Sequence, residues 1–387
     1  MDFQLSEEQL MLKQLAHDLG EKEWRALEKE WEEKGQHIPR EYHKKLANLG
    51  LMGITFPQKY GGQGLGVLEA VIATEEAGRV STRVGRDIFE SNLGAAKVIE
   101  QLGSEEQKEK YLPLVCKGDY QITMAMTEPE AGSALTDLQT RAVLKSDYYI
   151  VNGQKTFITG APECEVYVVF ARFSEEPGAR GIGALIIEKD TPGVSFGKQQ
   201  LFMGMYAPRC QIFFDECHVP KENLIVGAGG FKKLITAFDT QRCGNAANSL
   251  GIAQGAFECA VEYSQQRKQF GRPICEFQAV QFMLADMALR IEAARLLLYR
   301  AAANAGTGLA RPLEAMLAKC FANEAVREVT ARAVEIMGGY GYSKEYPVER
   351  MFRDGWGYGI GGGTIEMQKI GIASQLLGRR FSQRKDK

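Results

Sequence analysis

The spacing of apolar residues changes twice along the chain, and this limits the possible folds more than any other feature. Residues 1 to about 120 repeat apolar side chains at helical spacing. Residues 121–228 contain short runs rich in β-branched and aromatic residues, such as ITMAM, VYVVF and GALII. From residue 229 to residue 387 the helical spacing returns. The sequence therefore predicts a mainly α protein with a central β domain, divided into domains 1–120, 121–228 and 229–387.

Short local signals predict where individual elements begin and turn. Ser6 with Gln9, and Ser104 with Gln107, have the spacing of helix capping boxes. Asn152-Gly153 lies between the β runs YYIV and KTFIT, and this dipeptide favours the tight turn of a β-hairpin. We therefore expect a helix start at each serine and a hairpin turn at the Asn-Gly pair.

The last third of the chain carries long stretches rich in alanine and leucine, such as FQAVQFMLADMALRIEAARLLLYRAAANA. A helix that is apolar on more than one side must pack against other helices. We expect these helices to form a bundle, to cross a subunit interface, or both.

Charge and hydropathy exclude several classes of partner. The formal net charge of the 387 residues is −2, and no basic block occurs, so nothing indicates nucleic acid or a membrane surface as a partner. The N-terminal stretch lacks the apolar core of a signal peptide, and no apolar run reaches the roughly 18 residues that cross a bilayer. We expect a soluble cytoplasmic protein.

The cysteines and histidines exclude other kinds of site. The 8 cysteines are dispersed without a Cys-x-x-Cys pair, so we expect reduced thiols rather than disulfides or a zinc site. The 4 histidines have no metal-ligand spacing. We therefore expect no metal, and neither a zinc hydrolase nor a Ser-His-Asp enzyme.

Four motifs together resemble the acyl-CoA dehydrogenase family, and the resemblance covers essentially the whole chain. They are AMTEPEAGSA at 125–134, KTFITG at 155–160, RKQFG at 267–271 and the closing run AVEIMGGYGYSKEYPVERMFRDGWGYGIGGGTIEM at 333–367. The resemblance implies an N-terminal helical domain, a middle β-barrel-like domain and a C-terminal four-helix bundle that assembles homotetramers.

The same resemblance implies FAD as the cofactor. A turn rich in Thr, Ser and Gly can offer N–H and hydroxyl groups to a flavin, and a guanidinium suits its pyrophosphate. Three positions depart from the family pattern: Ala134 replaces Asp, Phe157 replaces Trp and Glu335 replaces Gln. Phe157 could instead be an ordinary core residue of a strand. The flavin contacts carried over from the family are Met126, Thr127, Ser133, Phe157, Thr159, Arg267, Phe270, Gln278, Glu335, Gly339, Thr364 and Glu366.

The carboxylate that serves as the base in most members of the family is absent. Those members have Glu-Gly-Thr where this chain has Gly362-Gly363-Thr364. Other members carry the base just before an Arg on the first bundle helix, and here that pair is Gln241-Arg242. Since abstraction of the α-proton needs a carboxylate within reach, the loss at both positions predicts a different reaction.

Charged residues occur on the helix that borders the far end of the acyl pocket in the family. Arg86, Asp87 and Glu90 fall there, where an acyl tail would need an apolar lining, although they could also form a solvated helix face. An Arg suits a short acyl group that ends in an anion. With the motif changes, this resembles the 3-sulfinopropionyl-CoA desulfinase branch, which lacks the dehydrogenase base and releases sulfite and propionyl-CoA.

Three functions follow from the sequence. The first is desulfination, with Arg86, Gln241 and Gly362 at the reaction centre and Arg86, Ser133, Arg242 and Gly363 against the substrate. The second is an acyl-CoA dehydrogenase or enoyl-CoA reductase whose base is Asp87 or Glu90. The third is a non-catalytic protein that binds flavin and CoA. An electron-transfer flavoprotein is expected as a partner only for the second.

Overall fold

The first part of the chain is helical in the computed structural model, which describes residues 4–204, 207–381 and 383. Each predicted capping box is present. The Ser6 hydroxyl accepts from the backbone N–H of Gln9 at 3.2 Å, and the Ser104 hydroxyl accepts from the backbone N–H of Gln107 at 3.2 Å. A π-helical turn, Gly20–Trp24, joins the first two helices. The helices are α1 (Glu7–Leu19), α2 (Arg25–Lys34), α3 (Arg40–Asn48), α4 (Val67–Gly78), α5 (Thr82–Leu93), α6 (Ala95–Leu102) and α7 (Glu105–Cys116).

The middle of the chain forms one mixed sheet in the order β6-β7-β3-β2-β4-β5-β8, with β1 parallel to β4. Its core consists of inward-facing apolar residues such as Val151, Val169, Ile187 and Ile212, which are fully buried. The strands are β1 (Ile122–Ala125), β2 (Arg141–Leu144), β3 (Tyr148–Thr159), β4 (Val166–Arg172), β5 (Ile182–Glu188), β6 (Val194–Phe196), β7 (Arg209–Pro220) and β8 (Leu224–Val226).

The hairpin turn predicted at Asn152-Gly153 is wrong. β3 runs through this pair, and the turn to β2 lies before Tyr148. The pairing of β3 with β7 continues on both sides of the dipeptide, with a register shift between Val151 and Gly153. Asn152 is used as a cross-strand contact, since its Nδ2 lies 2.6 Å from Glu216 Oε1. The Asn-Gly pair therefore forms an irregularity within a long strand.

The last part of the chain is again helical. α10 packs against α9, α11 and α12, and its buried face carries small and branched residues such as Ala318, Ala322 and Val326. A short antiparallel hairpin separates α8 from α9. The elements are α8 (Phe231–Gln266), β9 (Lys268–Gln269), β10 (Arg272–Pro273), α9 (Gln278–Ala305), α10 (Pro312–Met337), α11 (Val348–Tyr358) and α12 (Ile365–Leu376).

Contacts between Cα atoms group the chain into two compact units. The helical unit contains residues 1–30, 71–86 and 242–387, and the mixed unit contains residues 31–70 and 87–241. The predicted order of helical, β and helical segments is confirmed. The exact domain boundaries stay a prediction. Among the described residues, no helix is long and apolar enough to cross a membrane.

Each of the 8 cysteines is a thiol that forms no disulfide, and most of them are buried. Within the described part of the chain, no group of three or more His, Cys, Asp or Glu side chains could hold a metal ion.

Candidate functional site

The turn between α11 and α12, in the helical unit, carries glycine where most family members have the base. Gly362 has a φ of 69° and Gly363 a φ of 87°, so both lie in the left-handed region. A residue with a Cβ costs about 1–2 kcal/mol there. Thr364 ends the turn as the N-cap of α12, and its hydroxyl accepts from the Met367 amide at 3.2 Å. The turn supplies no carboxylate at position 362, and its backbone suits glycine.

Lys319 fixes both ends of this turn and was not found from the sequence. Its side chain is fully buried on α10, and its Nζ donates to the carbonyl oxygens of Tyr358 at 3.1 Å and Gly363 at 3.0 Å, and to Asn323 Oδ1 at 2.8 Å. Burial, with a smaller effect of the nearby positive charge of Arg242, lowers the pKa of Lys319 to about 7. The three acceptors are neutral, so the turn is held without a counter-charge.

Gln241 and Arg242 are half-buried on α8, where other family members carry their base. Within the described residues, Gln241 Oε1 is buried and has no hydrogen-bond partner. A buried amide oxygen without a partner costs free energy, so this atom suits a ligand that donates a hydrogen bond. The amide has no useful basicity, so it cannot replace the carboxylate.

A buried ion pair braces the predicted flavin loop of the mixed unit. Lys155 Nζ donates to Met126 O at 3.1 Å and lies 2.7 Å from Glu128 Oε1, and both charged side chains are buried. Thr127 is held as well, because its carbonyl accepts from the Thr156 amide at 2.9 Å. Ser133, further along the loop, is exposed. The pair therefore fixes the backbone of the loop at the end that the family motif assigns to the flavin.

The two charges in this pair stabilise each other against burial. Burial lowers the pKa of Lys155 to about 8, and the attraction of Glu128 partly offsets this effect. Burial alone would raise the pKa of Glu128, but Lys155 and the Gln139 amide together hold this pKa below its usual value. Neither residue was found from the sequence, because the chemistry of a buried pair is not visible in the motif.

Phe157 projects from the sheet, so its interpretation as a core residue is wrong. Its φ is 59°, its side chain is 55% exposed, and it lies at a register shift between Lys155 and Ile158. The ring packs edge-on against Phe202, with centroids 5.9 Å apart. An exposed aromatic residue in the left-handed region costs free energy without any gain in the core. The geometry suits a ring that covers a flat ligand.

Thr159 follows two residues after Phe157 on the same strand. Its Oγ1 accepts from Arg209 Nε at 3.1 Å, and its carbonyl accepts from the Thr123 hydroxyl at 2.8 Å. Both contacts hold the end of β3 in place. The threonine is therefore fixed at the position that the family motif assigns to the flavin.

The hairpin of the helical unit presents a second group of predicted flavin residues. Phe270 has a φ of 51° and is 94% exposed. The Arg267 guanidinium lies 5.9 Å from the centre of the Tyr340 ring, and Gln278 is exposed in the first turn of α9. An exposed guanidinium and an exposed ring beside a helix start suit a dinucleotide with phosphate groups. These residues therefore fit FAD.

The remaining predicted flavin residues lie at helix ends. Glu335 is exposed in the last turn of α10 and Gly339 is exposed just beyond its end, where neither the carboxylate nor the helix dipole favours a phosphate. Glu366 is exposed in the first turn of α12. Its own backbone N–H and the Thr364 hydroxyl lower the pKa of its carboxyl group.

Two of the three charges predicted on α5 are buried, so their interpretation as a solvated helix face is wrong. Arg86 is 5% exposed and Asp87 is 3% exposed, whereas Glu90 is half-buried. In the mixed unit, Asp87 Oδ2 lies 2.7 Å from Nε2 of the buried His43 on α3, and Gln121 Nε2 lies 3.1 Å from the same ring nitrogen. No sequence motif connects His43 with Asp87.

Comparisons with known proteins agree with the motifs. The chain matches three families described as "Acyl-CoA dehydrogenase", for the N-terminal domain over residues 6–119, the middle domain over 123–217 and the C-terminal domain over 228–377. It is 41% identical to a caffeyl-CoA reductase-Etf complex subunit of Acetobacterium woodii, over 96% of this chain and 99% of the relative. It is also 41% identical to a 3-sulfinopropanoyl-CoA desulfinase of Variovorax paradoxus, over 88% and 87%.

A solved structure of a related protein has the same fold. Butyryl-CoA dehydrogenase from Megasphaera elsdenii superposes with a TM-score of 0.93 at 39% identity, over 97% of this chain and all of that one. The predicted fold and the prediction of FAD as cofactor are thereby confirmed. The chain is a member of the acyl-CoA dehydrogenase family and an enzyme of that superfamily.

Proposed function

We propose that this flavoenzyme dehydrogenates an acyl-CoA, or catalyses the reverse reduction, with Asp87 as its base. The observation that carries the proposal is the contact of 2.7 Å between Asp87 Oδ2 and His43 Nε2, with both side chains buried. A carboxylate beside an imidazole in a dry environment is suited to acid–base chemistry. Positions 362 and 241 hold Gly and Gln, so neither can supply a base.

The position of Asp87 limits the substrate. The family resemblance implies that α5 borders the far end of the acyl pocket, so this base would meet a carbon remote from the thioester. A C–H bond there is acidic only when a conjugated double bond extends the thioester carbonyl to it. We therefore propose a short or alicyclic α,β-unsaturated acyl-CoA as the compound that is oxidised. Bound FAD would accept the hydride.

The other predicted residues have supporting roles in this proposal. The loop braced by Lys155 would hold the flavin through Met126, Thr127 and Ser133, and Phe157 would cover its ring. Arg267 would bind the pyrophosphate, with Phe270 and Gln278 beside it. Gly362 and Gly363 would leave space next to the thioester, and Gln241 with Arg242 would contact the substrate.

The test is anaerobic mixing of the purified holoenzyme with a panel of short and cyclic saturated and α,β-unsaturated acyl-CoAs, with the flavin absorbance recorded. We expect bleaching with an unsaturated substrate. Asp87→Asn should abolish bleaching, by about 100-fold or more, while FAD content stays unchanged. Glu90→Gln on the same helix is the matched control and should still bleach. If Asp87→Asn bleaches normally, the assignment of the base is wrong.

Desulfination of 3-sulfinopropionyl-CoA to propionyl-CoA and sulfite is the second candidate. Two observations favour it: Arg86 is a buried cation on α5, and a desulfinase is 41% identical to this chain. In this case Arg86 would bind the sulfinate, and the reaction would need no α-proton base. The sequence alone favours this candidate, whereas the contact between His43 and Asp87 favours dehydrogenation.

A single experiment distinguishes desulfination from dehydrogenation. The enzyme is incubated anaerobically with 3-sulfinopropionyl-CoA while sulfite and flavin absorbance are measured. Sulfite released with the flavin still oxidised would support desulfination, and Arg86→Ala should then abolish it without loss of FAD. Binding of acyl-CoA with neither sulfite nor bleaching on any substrate would support the third possibility, a non-catalytic binding protein.

We also propose an electron-transfer flavoprotein as the partner that reoxidises the flavin, and a homotetramer as the assembly. The name of the Acetobacterium relative includes such a complex. On α9, Phe282, Leu289 and Leu296 are spaced two helical turns apart and are 62%, 69% and 53% exposed. Such a stripe favours burial against another copy. Light scattering of the holoenzyme would measure the mass, and a monomer would contradict the assembly.

A further inference from the structure

The ring of His43 faces two groups with opposite hydrogen-bonding roles. Asp87 Oδ2, at 2.7 Å from Nε2, is an acceptor when ionised, whereas Gln121 Nε2, at 3.1 Å from the same nitrogen, is always a donor. When Nε2 carries a proton, it donates to the carboxylate, but its N–H then faces the N–H donor of the Gln121 amide. A bare Nε2 satisfies the amide and is ready to receive a proton. As long as Asp87 is ionised, neither state of the ring satisfies both neighbours.

Other contacts in the mixed unit hold Gln121 beside the histidine. Its backbone N–H donates to Glu165 Oε2 at 2.8 Å, and Arg40 pairs with that same carboxylate. Its Oε1 lies 4.0 Å from Cys164 Sγ, a weak donor, which leaves Nε2 directed at the histidine. Gln121 therefore favours the form of His43 whose Nε2 lone pair is available.

We propose that His43 receives the proton that Asp87 removes from the substrate, so that the base works as a relay of two residues positioned by Gln121. This inference rests on the proposed role of Asp87. Within the described residues, the other ring nitrogen, Nδ1, is buried and has no hydrogen-bond partner. A histidine that only tied α3 to α5 would use one nitrogen for the carboxylate and meet no competing donor.

The breaking C–H bond gives its proton to an Asp87 oxygen, while bound FAD would accept the hydride from a second C–H bond. The proton then moves to His43 Nε2, which restores the carboxylate and leaves an imidazolium. His43 releases its proton to water before the next turnover, while an electron-transfer flavoprotein takes the two electrons. No further reactant is needed.

The relay predicts that loss of His43 affects the first turnover much less than later turnovers. With Asp87 intact, His43→Gln keeps an amide donor beside the carboxylate but cannot carry a proton. We expect its first flavin bleaching to slow by less than about tenfold, whereas steady-state turnover falls by about 100-fold, within the usual range for loss of an acid–base group. His17→Gln is the matched control. His17 Nδ1 also contacts a carboxylate, Glu76 Oε2 at 3.2 Å, and its loss should leave both rates unchanged.

Chemical rescue distinguishes proton transfer from support of the fold. In His43→Ala, added imidazoles should restore turnover, and the rescued rate should depend on the pKa of the imidazole that is added. Gln121→Met, which removes the opposing donor, should lower turnover about tenfold without changing KM, because nothing then opposes a hydrogen bond from His43 to Asp87. A structural role would instead lower the first and later turnovers equally and show no dependence on the pKa of the rescuing base.

The possible outcomes are distinct. If the wild-type flavin does not bleach with any acyl-CoA, the proposed function and the relay both fail. If Asp87→Asn loses bleaching but His43→Gln turns over at the wild-type rate, Asp87 is the base and the relay alone is overturned. Selective loss of later turnovers, with rescue by imidazoles, supports the relay.

Discussion

Replacing Lys155 with methionine gives the sharpest test of the energetics of the flavin loop. Methionine has a similar length and no charge, so the substitution leaves Glu128 buried without the ammonium that lies 2.7 Å away. Breaking a buried pair by removing one partner costs about 3–5 kcal/mol. The Glu128 carboxylate keeps two backbone donors, the amides of Gln139 at 2.5 Å and Thr140 at 2.9 Å. We therefore expect Lys155→Met to lower the free energy of unfolding by about 3 kcal/mol, at the low end of that range.

The matched variants are Glu128→Gln and the double variant. Glu128→Gln leaves Lys155 buried without its partner, but the lysine can lose its proton, since burial already lowers its pKa to about 8. The loss of unfolding free energy in Glu128→Gln should therefore be smaller at pH 9 than at pH 6. The double variant carries neither charge, so its loss of stability should be well below the sum of the two single losses.

The pH dependence has a definite sign. The pKa of Lys155 is about 8 in the folded chain, whereas an exposed lysine of the unfolded chain has its ordinary pKa of 10.5. Between these values the unfolded chain binds more protons, so the contribution of this lysine to the free energy of unfolding rises with pH. Lys155→Met should remove that rise.

Urea denaturation of the FAD-free protein, followed by circular dichroism at several pH values, measures these free energies by linear extrapolation. The reasoning is refuted if the two single losses add up to that of the double variant within about 0.5 kcal/mol. FAD titration of Lys155→Met gives a second result. Because Lys155 holds the Met126 carbonyl, we expect weaker FAD binding, whereas unchanged affinity would show that the loop needs no brace.

Three further predictions concern two buried side chains and the turn at Gly362. Tyr167→Phe should raise the unfolding free energy by about 1 kcal/mol in urea denaturation, because the buried Tyr167 hydroxyl has no hydrogen-bond partner among the described residues; a loss of stability would contradict this. Burial, together with the charge of Glu28, raises the pKa of Asp354 to about 7. The folded chain thus holds the extra proton, and its stability should fall as pH rises from about 4 to 7. Asp354→Asn should abolish this fall of stability with pH, and an unchanged fall would show that Asp354 does not cause it. Gly362→Ala should lower stability by about 1–2 kcal/mol because of its positive φ, and no change in melting temperature would contradict the strain.

The order of elements could be predicted from the sequence because apolar spacing is a local property. The capping boxes at Ser6 and Ser104 form within single helices, so their sequence signature was sufficient. Asn152-Gly153 failed because a turn and a long strand compete for the same residues. Pairing between β3 and β7 extends along most of β3 and outweighs the preference of one dipeptide.

The candidate site was predictable only where a motif is contiguous. Phe157 and Phe270 were found from their motifs, and both have positive φ values that the sequence does not reveal. The contact between His43 and Asp87 joins residues 44 apart, and no local pattern announces it. The charge of Asp87 on a helix is equally typical of a solvated face, so only the burial of this residue separates the two interpretations.

The charges around position 362, where most family members have the base, differ from those around Asp87. Lys319 is a buried cation whose three acceptors are neutral, and this is consistent with its lowered pKa. Asp87 has the opposite arrangement, since it is a buried carboxylate beside a group that can become cationic. The turn at Gly362 has no carboxylate, whereas the Asp87 carboxylate lies 2.7 Å from a histidine nitrogen. The backbone and the charges therefore support the proposal that Asp87 on α5 acts as the base.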